Sequence, residues 1–481
     1  MNRIALCIGL ALMGCQLHLA AADKAPNIVF ILVDDMGWNG LSTAMDPEVK
    51  ESLSDFYKTP NIDQLAGESV VFSRAYSPGP SCSPSRAGIL TGKTPAELHM
   101  TTPGAGATQP WHKVISADFV RVLPEAEVTI GDRLKKQGYA TAHFGKWHLG
   151  RSNPGDHGFD VHDGSTGNEG GDNTGEDNPK DIFGITSRGL EFMEKQAKAR
   201  KPFYLQLSHY AVHEPVAALA SSVEKFGEMS IGQRHDKVDF AAMTFDFDTS
   251  VGQVLEKVRE LKLEESTYIV FMSDNGAVGN QRRPVNAPLA FGKGTLYEGG
   301  IRVPLMIRGP GIKGDTYCDE KVTGCDLLPT FCEWVGTAPG EIEGSSLVPL
   351  LSGNPSAFKR PQEGLLFHNP HYGAGPIQKP QTAILVRNYK LLRDLETGTD
   401  QLFDLESDIS ESTDLAQKKP EIAADMAAVL EKRLEQVGAQ MPTPNPDYDP
   451  EATAPRGGGK GGKGMGKGGG GKGKGKGRGS N

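Results

Sequence analysis

The chain predicts an α/β fold: a large, mostly parallel sheet flanked by helices, a small C-terminal antiparallel α+β subdomain, and a disordered tail. Three observations carry this expectation. Apolar, β-branched runs alternate with helical patterns through the first two thirds of the 481 residues. After about Pro339 the runs shorten and lose their intervening helices, and from Arg456 onward Met465 is the one apolar side chain. Strands that are apolar almost throughout are buried on both faces, and interleaving them with helices produces a parallel sheet covered on both sides.

Residues 1–22 combine Arg3, an apolar run over 4–13 and an Ala20, Ala21, Ala22 ending, the pattern of an export signal. The run is shorter than the roughly 20 apolar residues of a membrane span. Leu12, Met13, Gly14 and Cys15 also resemble a lipoprotein box, but Met13 fits it poorly. The expectation is therefore a periplasmic or extracellular protein, with anchoring at Cys15 the lesser alternative. No other segment reads as transmembrane.

Strands are expected at 27–33, 140–144, 203–208, 268–273 and 303–307, and helices at 129–137, 186–200 and 236–261. Together they form a catalytic domain over 26–338. Short strands at 365–368, 383–395 and 401–405, closed by a helix at 420–437, form the subdomain of 339–440. Residues 441–481 make the tail. Its last 26 residues hold fifteen glycines and eight basic side chains, which cannot build a core. Because the whole chain carries a net charge of −9, the body preceding that segment carries −17. A basic tail on an acidic body reads equally as a contact for polyanions or as a solubilising extension. Those last 26 residues lack the aromatic side chains that specific nucleic-acid binding would need.

In open α/β sheets the ligand site lies beyond the carboxyl ends of the strands. Here the first strand ends in Asp34 and Asp35, and the strand at 268–273 ends in Asp274, Asn275 and Gly276. Like charges about 4 Å apart repel by about 4 kcal/mol at an effective dielectric near 20. A divalent cation relieves that repulsion, and an all-oxygen set suits calcium or magnesium. Either dipeptide alone would read as a turn cap on a surface loop; their coincidence with Cys82 favours the metal.

Residues 82–92 read CSPSRAGILTG. This run resembles the maturation signature of type I sulfatases, CxPSR followed by leucine, threonine and glycine, and the resemblance extends across most of 26–336. It implies an alkaline phosphatase-like fold and a sulfuric ester hydrolase. It further implies that a formylglycine-generating or equivalent maturation enzyme oxidises Cys82 to formylglycine. The implied metal ligands are Asp34, Asp35, the converted Cys82, Asp274 and Asn275, around one Ca2+ in first place or Mg2+ as the alternative. A thiolate would be a soft, mismatched ligand in that set, whereas an aldehyde hydrate supplies hard oxygen.

The same resemblance assigns further roles. Arg86 holds the aldehyde hydrate. Lys146 and His148, in GKWHLG, flank the nucleophile; His213, in AVHEP, and Lys293, in GKGTLYEGGIRVP, contact the sulfate. One hydroxyl of the hydrate attacks sulfur while His213 protonates the leaving alcohol. The second hydroxyl loses its proton to His148, and collapse to the aldehyde expels sulfate; a serine or cysteine ester has no such group. Export and polar loops at 101–123, 152–182 and 369–381 point to a sulfated carbohydrate substrate. Two rivals stand beside this reading: a phosphodiester or phosphonate hydrolase of the same superfamily, and a catalytically silent polyanion-binding surface protein.

Once Cys7 and Cys15 leave with the signal and Cys82 is converted, Cys318, Cys325 and Cys332 remain, enough for one disulfide. Cys325 and Cys332 lie two turns apart on an expected helix at 326–335, too far to bridge. They read as small buried hydrophobes, with one pair to Cys318 left open. His368 and His371 read either as an approach to the site from the subdomain or as part of a turn at Pro370.

Overall fold

In the computed structural model, residues 25–453 are described except 173, 280–284, 374 and 376. The leader with Cys15 and the glycine-lysine segment from 454 on, and the expectations placed on them, lie outside the described residues, whereas 441–453, expected as the start of the disordered tail, are ordered: Thr443–Pro444 pairs antiparallel with Val114–Ile115, and Asn445 N donates to the Lys113 carbonyl. Eight strands form one sheet, the central ones drawn in by their apolar runs: β1 (Asn27–Val33), β2 (Val70–Phe72), β3 (Ala140–Gly145), β4 (Val161–His162), β5 (Phe203–Ser208), β6 (Thr267–Ser273), β7 (Leu305–Arg308) and β8 (Thr316–Cys318). Their order across the sheet is β8-β2-β7-β6-β1-β5-β3-β4. β1 lies at the centre, parallel to β5 with Val29 opposite Leu205 and to β6 with Ile31 opposite Phe271. Only β7 runs antiparallel to its neighbours, β2 and β6.

Alternation along β1 divides the core. Val29, Ile31 and Val33 face helices Pro60–Gly67, Ile182–Ala199 and Val238–Glu260 through Leu65, Met193 and Phe247. Ile28, Phe30 and Leu32 face helices Cys82–Thr91, Ile130–Lys136 and Leu327–Trp334 through Ile89, Leu134 and Phe331. All six of these β1 side chains are fully buried, as a sheet covered on both faces requires.

The C-terminal unit is a four-stranded antiparallel sheet in sequential order: β9 (Leu365–Asn369), β10 (Gln381–Val386), β11 (Tyr389–Asp394) and β12 (Thr399–Asp404). The run expected as one strand over 383–395 folds into β10 and β11, with Arg387 at the turn adopting a φ of 51°. Leu366, Ile384, Leu391 and Leu402 pack beneath helix Pro420–Gln436. On the other face, Phe367, Leu385 and Phe403 pack against Tyr76, Leu296 and Ile301 of the large unit. This second contact surface brings the small sheet against the loop that carries Lys293.

All four cysteines among the described residues are free thiols, so the pair to Cys318 is not formed. Cys325 and Cys332 are buried. His368 and His371 are also structural: His368 Nε2 lies 2.9 Å from the Gln440 carbonyl, and His371 Nε2 lies 2.7 Å from Thr101 Oγ1.

Candidate active site

Four adjacent parallel strands deliver the polar cluster from their carboxyl ends. β1 runs into Asp34 and Asp35, β6 into Asp274 and Asn275, β3 into Lys146 and His148, and β5 into the segment holding His213. The turn after β3 depends on Gly145, whose φ is 94°; a Cβ there would stand 2.1 Å from the Ser208 carbonyl. Asp35 and His148 also take positive φ values, 62° and 58°. Strain at non-glycine residues of this kind gathers where function over-determines the backbone.

Cys82 opens the helix Cys82–Thr91, which ends at Gly92 in a left-handed cap. Its side chain therefore sits at the positive end of the helix dipole. Cys82 Sγ is 3.3 Å from Asp34 Oδ1, 3.4 Å from Lys146 Nζ and 3.3 Å from Lys293 Nζ. Lys293 donates to both Asp35 oxygens at 2.6 and 2.8 Å, and Lys146 pairs with Asp34 Oδ2. Arg86 donates from Nε to Asp274 Oδ2 at 2.9 Å and from Nη1 to the Lys146 carbonyl at 2.5 Å. Asn275 Nδ2 donates to Asp35 Oδ1 at 2.7 Å. His213 Nε2 lies 3.7 Å from Asp35 Oδ2, while its Nδ1 pairs with the Glu214 carbonyl. His148 joins through its backbone: its carbonyl accepts from Ser83 Oγ at 2.7 Å, and its Nδ1 has no partner among the described residues.

The charges are tightly coupled. Burial pushes the Asp34 carboxyl up, but Lys146, Arg86, Lys293 and His213 together hold it well below the usual range. Burial, then the Asp34 carboxylate, raises Asp274 to about 7. Burial first, then Lys146 and Arg86, lowers His148 to about 3, and burial also lowers His213. The Cys82 thiol is pushed far above its usual value by burial and then by Asp34. Such a thiol stays protonated at neutral pH and is a poor nucleophile as it stands.

Each carboxylate has a cationic partner: Asp34 with Lys146, Asp35 with Lys293, Asp274 with Arg86. Charge repulsion by itself therefore does not demand a metal. The fit to one rests on donor geometry. Asp34, Asp35, Cys82 and Asp274 each offer a ligand atom within 4.8 Å of the others. Asn275 Oδ1 is buried beside them with no hydrogen-bond partner among the described residues, a group that a hard cation would satisfy.

Two positioning residues carried no sequence signal. Thr166 accepts from Trp147 N at 2.9 Å and donates to the Gly145 carbonyl at 2.6 Å, while its own carbonyl accepts from His148 N. Gln378 reaches the Lys293 backbone from the small unit. Each is a single polar residue in an irregular loop, visible only through its partner.

A parallel sheet that converges carboxylates, an amide and three cations on one helix-opening cysteine defines a hydrolase of anionic esters. The Sulfatase family profile matches residues 26–337, and a profile described as N-sulphoglucosamine sulphohydrolase, C-terminal, matches residues 289–440. The chain belongs to the sulfatase family, within the alkaline phosphatase superfamily, and is a sulfuric ester hydrolase. It is 31% identical over 383 residues to N-acetylgalactosamine-6-sulfatase of Canis lupus familiaris, covering 72% of this chain and 69% of the relative. It is 29% identical to the ulvan-active sulfatase of Formosa agariphila, covering 90% and 87% respectively. The crystal structure of Ps i-CgsB superposes with a TM-score of 0.71 at 25% identity, covering 85% of this chain and 93% of that one.

Proposed function

We propose that the protein hydrolyses sulfate esters of carbohydrates, using a formylglycine made from Cys82 and one divalent cation, Ca2+ in first place. The observation that carries this reading is the simultaneous approach of Asp34, Lys146 and Lys293 to within 3.4 Å of Cys82 Sγ. A nucleophile derived from that side chain would stand between an oxygen-lined cation pocket and two ammonium groups.

Asp34, Asp35, Asp274, Asn275 and the converted Cys82 would hold the cation, which, when bound, adds positive charge against the ester oxygens. Without it, three carboxylates balance three cations, so a bound divalent ion leaves the site positive and ready for an anionic ester. Lys146 and Lys293 face the sulfuryl oxygens, and Arg86 orients the hydrate through its bonds to Asp274 and the Lys146 carbonyl. One hydroxyl of the hydrated aldehyde passes its proton to the neighbouring Asp274 carboxylate and forms the new S–O bond as the S–O bond to the alcohol breaks. His213, whose pKa an incoming sulfate raises, gives its proton to that alcohol. His148, neutral by virtue of its burial, takes the proton of the second hydroxyl. The C–O bond to sulfate then breaks, sulfate leaves, the aldehyde returns and water rehydrates it.

A cavity of about 380 Å³ opens beside Asp35 and is lined by Val212, Glu214, Arg234, Lys237 and Ala277. Val212 and Glu214 flank His213, so the cavity lies on the leaving-group side. Its mixed polar wall suits a hydroxyl-rich ring. Relatives whose names specify N-acetylgalactosamine and ulvan support the same substrate class. Export, a maturation enzyme acting on Cys82, and division of the chain into a catalytic unit over 26–338 and a subdomain over 339–440 belong to this reading. No helix among the described residues is long and apolar enough to cross a membrane.

The test is release of free sulfate from a panel of sulfated polysaccharides and their oligosaccharides, with mass spectrometry of the Cys82 peptide. Sulfate release by protein whose Cys82 is an aldehyde is expected. An unmodified thiol in active protein, or no release from any substrate, overturns the reading.

A further inference from the structure

Lys293 has a long, flexible stem, so where its ammonium rests depends on how firmly its backbone is held as well as on its two bonds to Asp35. Three bonds from three parts of the chain hold that backbone. Lys293 N donates to the Ala277 carbonyl at 3.0 Å, two residues beyond Asn275, and Gly294 N donates to the Pro80 carbonyl at 2.8 Å, two residues before Cys82. The Lys293 carbonyl accepts from Gln378 Nε2 at 2.8 Å. The first two bonds come from the catalytic unit; the third comes from the antiparallel unit.

The Gln378 amide is itself oriented. Its Oε1 accepts from Gly375 N at 3.1 Å, which leaves Nε2 to face Lys293. Its backbone is tied across the same turn, with Gln378 N donating to the Gly375 carbonyl at 3.0 Å and Gly373 N donating to the Gln378 carbonyl at 2.8 Å. The amide is seated between two glycines. A Cβ at Gly294 would stand 2.3 Å from Nε2, and one at Gly373 would stand 2.4 Å from Oε1. The close approach of the two backbones leaves room for this side chain and little else.

We propose that Gln378 is a positioning residue for Lys293, so that the antiparallel unit completes the sulfate-binding end of the site. This rests on the reading of Lys293 as a sulfate contact. Gln378 touches no reacting atom; it sets where the Lys293 ammonium meets sulfate.

The experiment is a double-mutant cycle on the full-length, cation-loaded enzyme with Gln378→Met, Lys293→Ala and the pair. The readouts are kcat/KM, the affinity for inorganic sulfate by calorimetry, and the thermal midpoint. Gln378→Met is expected to lower kcat/KM and weaken sulfate binding by about tenfold, since small misplacements of a positioning group are costly. In the Lys293→Ala background the same change is expected to cost less than about twofold, because the two residues act as one. The midpoint should stay unchanged. Gln378→Asn, whose amide is too short to reach, should behave like Gln378→Met. An equal loss in both backgrounds assigns Gln378 a general structural role and overturns the proposal, as does wild-type behaviour of Gln378→Met while Lys293→Ala is impaired. Wild-type kcat/KM in Lys293→Ala alone overturns the reading of Lys293 and the inference with it.

Discussion

Replacing Lys390 by methionine tests the buried ionic joint between the two units. The Lys390 ammonium on β11 is fully buried, 3.2 Å from Glu298 Oε1 and 2.8 Å from Glu411 Oε1, and both carboxylates are fully buried as well. Glu298 stands five residues after Lys293, accepts from Tyr76 OH at 3.0 Å, and donates its backbone N–H to Glu411 Oε2 at 2.6 Å. Burial first, and then Glu298 against the pull of Lys390, raises Glu411 to about 7. Methionine keeps the length of the side chain and removes its charge. Leaving buried carboxylates uncompensated costs about 3–5 kcal/mol.

That penalty depends on pH, and its sign follows from linkage. Glu411 is an acid whose folded pKa lies above its unfolded value of about 4.3, so stability falls as pH rises through that window. Loss of Lys390 raises the folded pKa further. At pH 8 the variant must hold a proton on Glu411 that the wild type has released, whereas at pH 5.5 both hold it and this share of the penalty disappears. Urea unfolding followed by circular dichroism at the two pH values should show a large loss at pH 8 and a much smaller one at pH 5.5. Equal penalties, or a larger one in acid, would refute the assignment of Lys390 as the neutralising charge.

Phe331 is fully buried and meets Phe30 edge-on at 6.2 Å and Trp334 in a stack at 5.4 Å. Phe331→Ala should therefore cost about 3–5 kcal/mol in urea unfolding. Burial holds His143, His209 and His371 near 3 and His235 and His368 near 4. Their folded values lie below the unfolded value of about 6.5, so each should take stability away as pH falls below that point, by up to about 1.4 kcal/mol per pH unit, against the smaller opposite contribution of Glu411 and Asp274. A flat urea midpoint between pH 6.5 and 4.5 would contradict this. Calcium at about 100 times its dissociation constant should add about 2.7 kcal/mol to unfolding; calorimetry of chelated and reloaded protein checks this, and Asp34→Asn should blunt the response.

The division between local and global information follows from particular residues. Runs such as NIVFILV announce buried strands because six successive apolar residues can be dry only inside a covered sheet. The CSPSRAGILTG run and the Asp34, Asp35 and Asp274, Asn275 pairs are local in the same sense. Each is short enough for its chemistry to be written in consecutive letters. β2 and β8, at three residues each, are too brief for any periodicity to register, and β7 runs antiparallel because of its neighbours rather than its own composition.

The pairings inside the site belong to tertiary structure alone. Asp35 and Lys293 lie 258 positions apart, and Asp34 and Lys146 lie 112 apart. The sequence by itself determined which side chains were available and on which strand ends they would sit. Only packing of the sheet decided which cation neutralises which carboxylate, that Thr166 and Gln378 hold the loops bearing Lys146 and Lys293, and that the Asn275 amide meets Asp35. Strand and helix patterns arise from interactions a few residues apart. Contacts across strands depend on sheet order, which no stretch of the chain encodes alone.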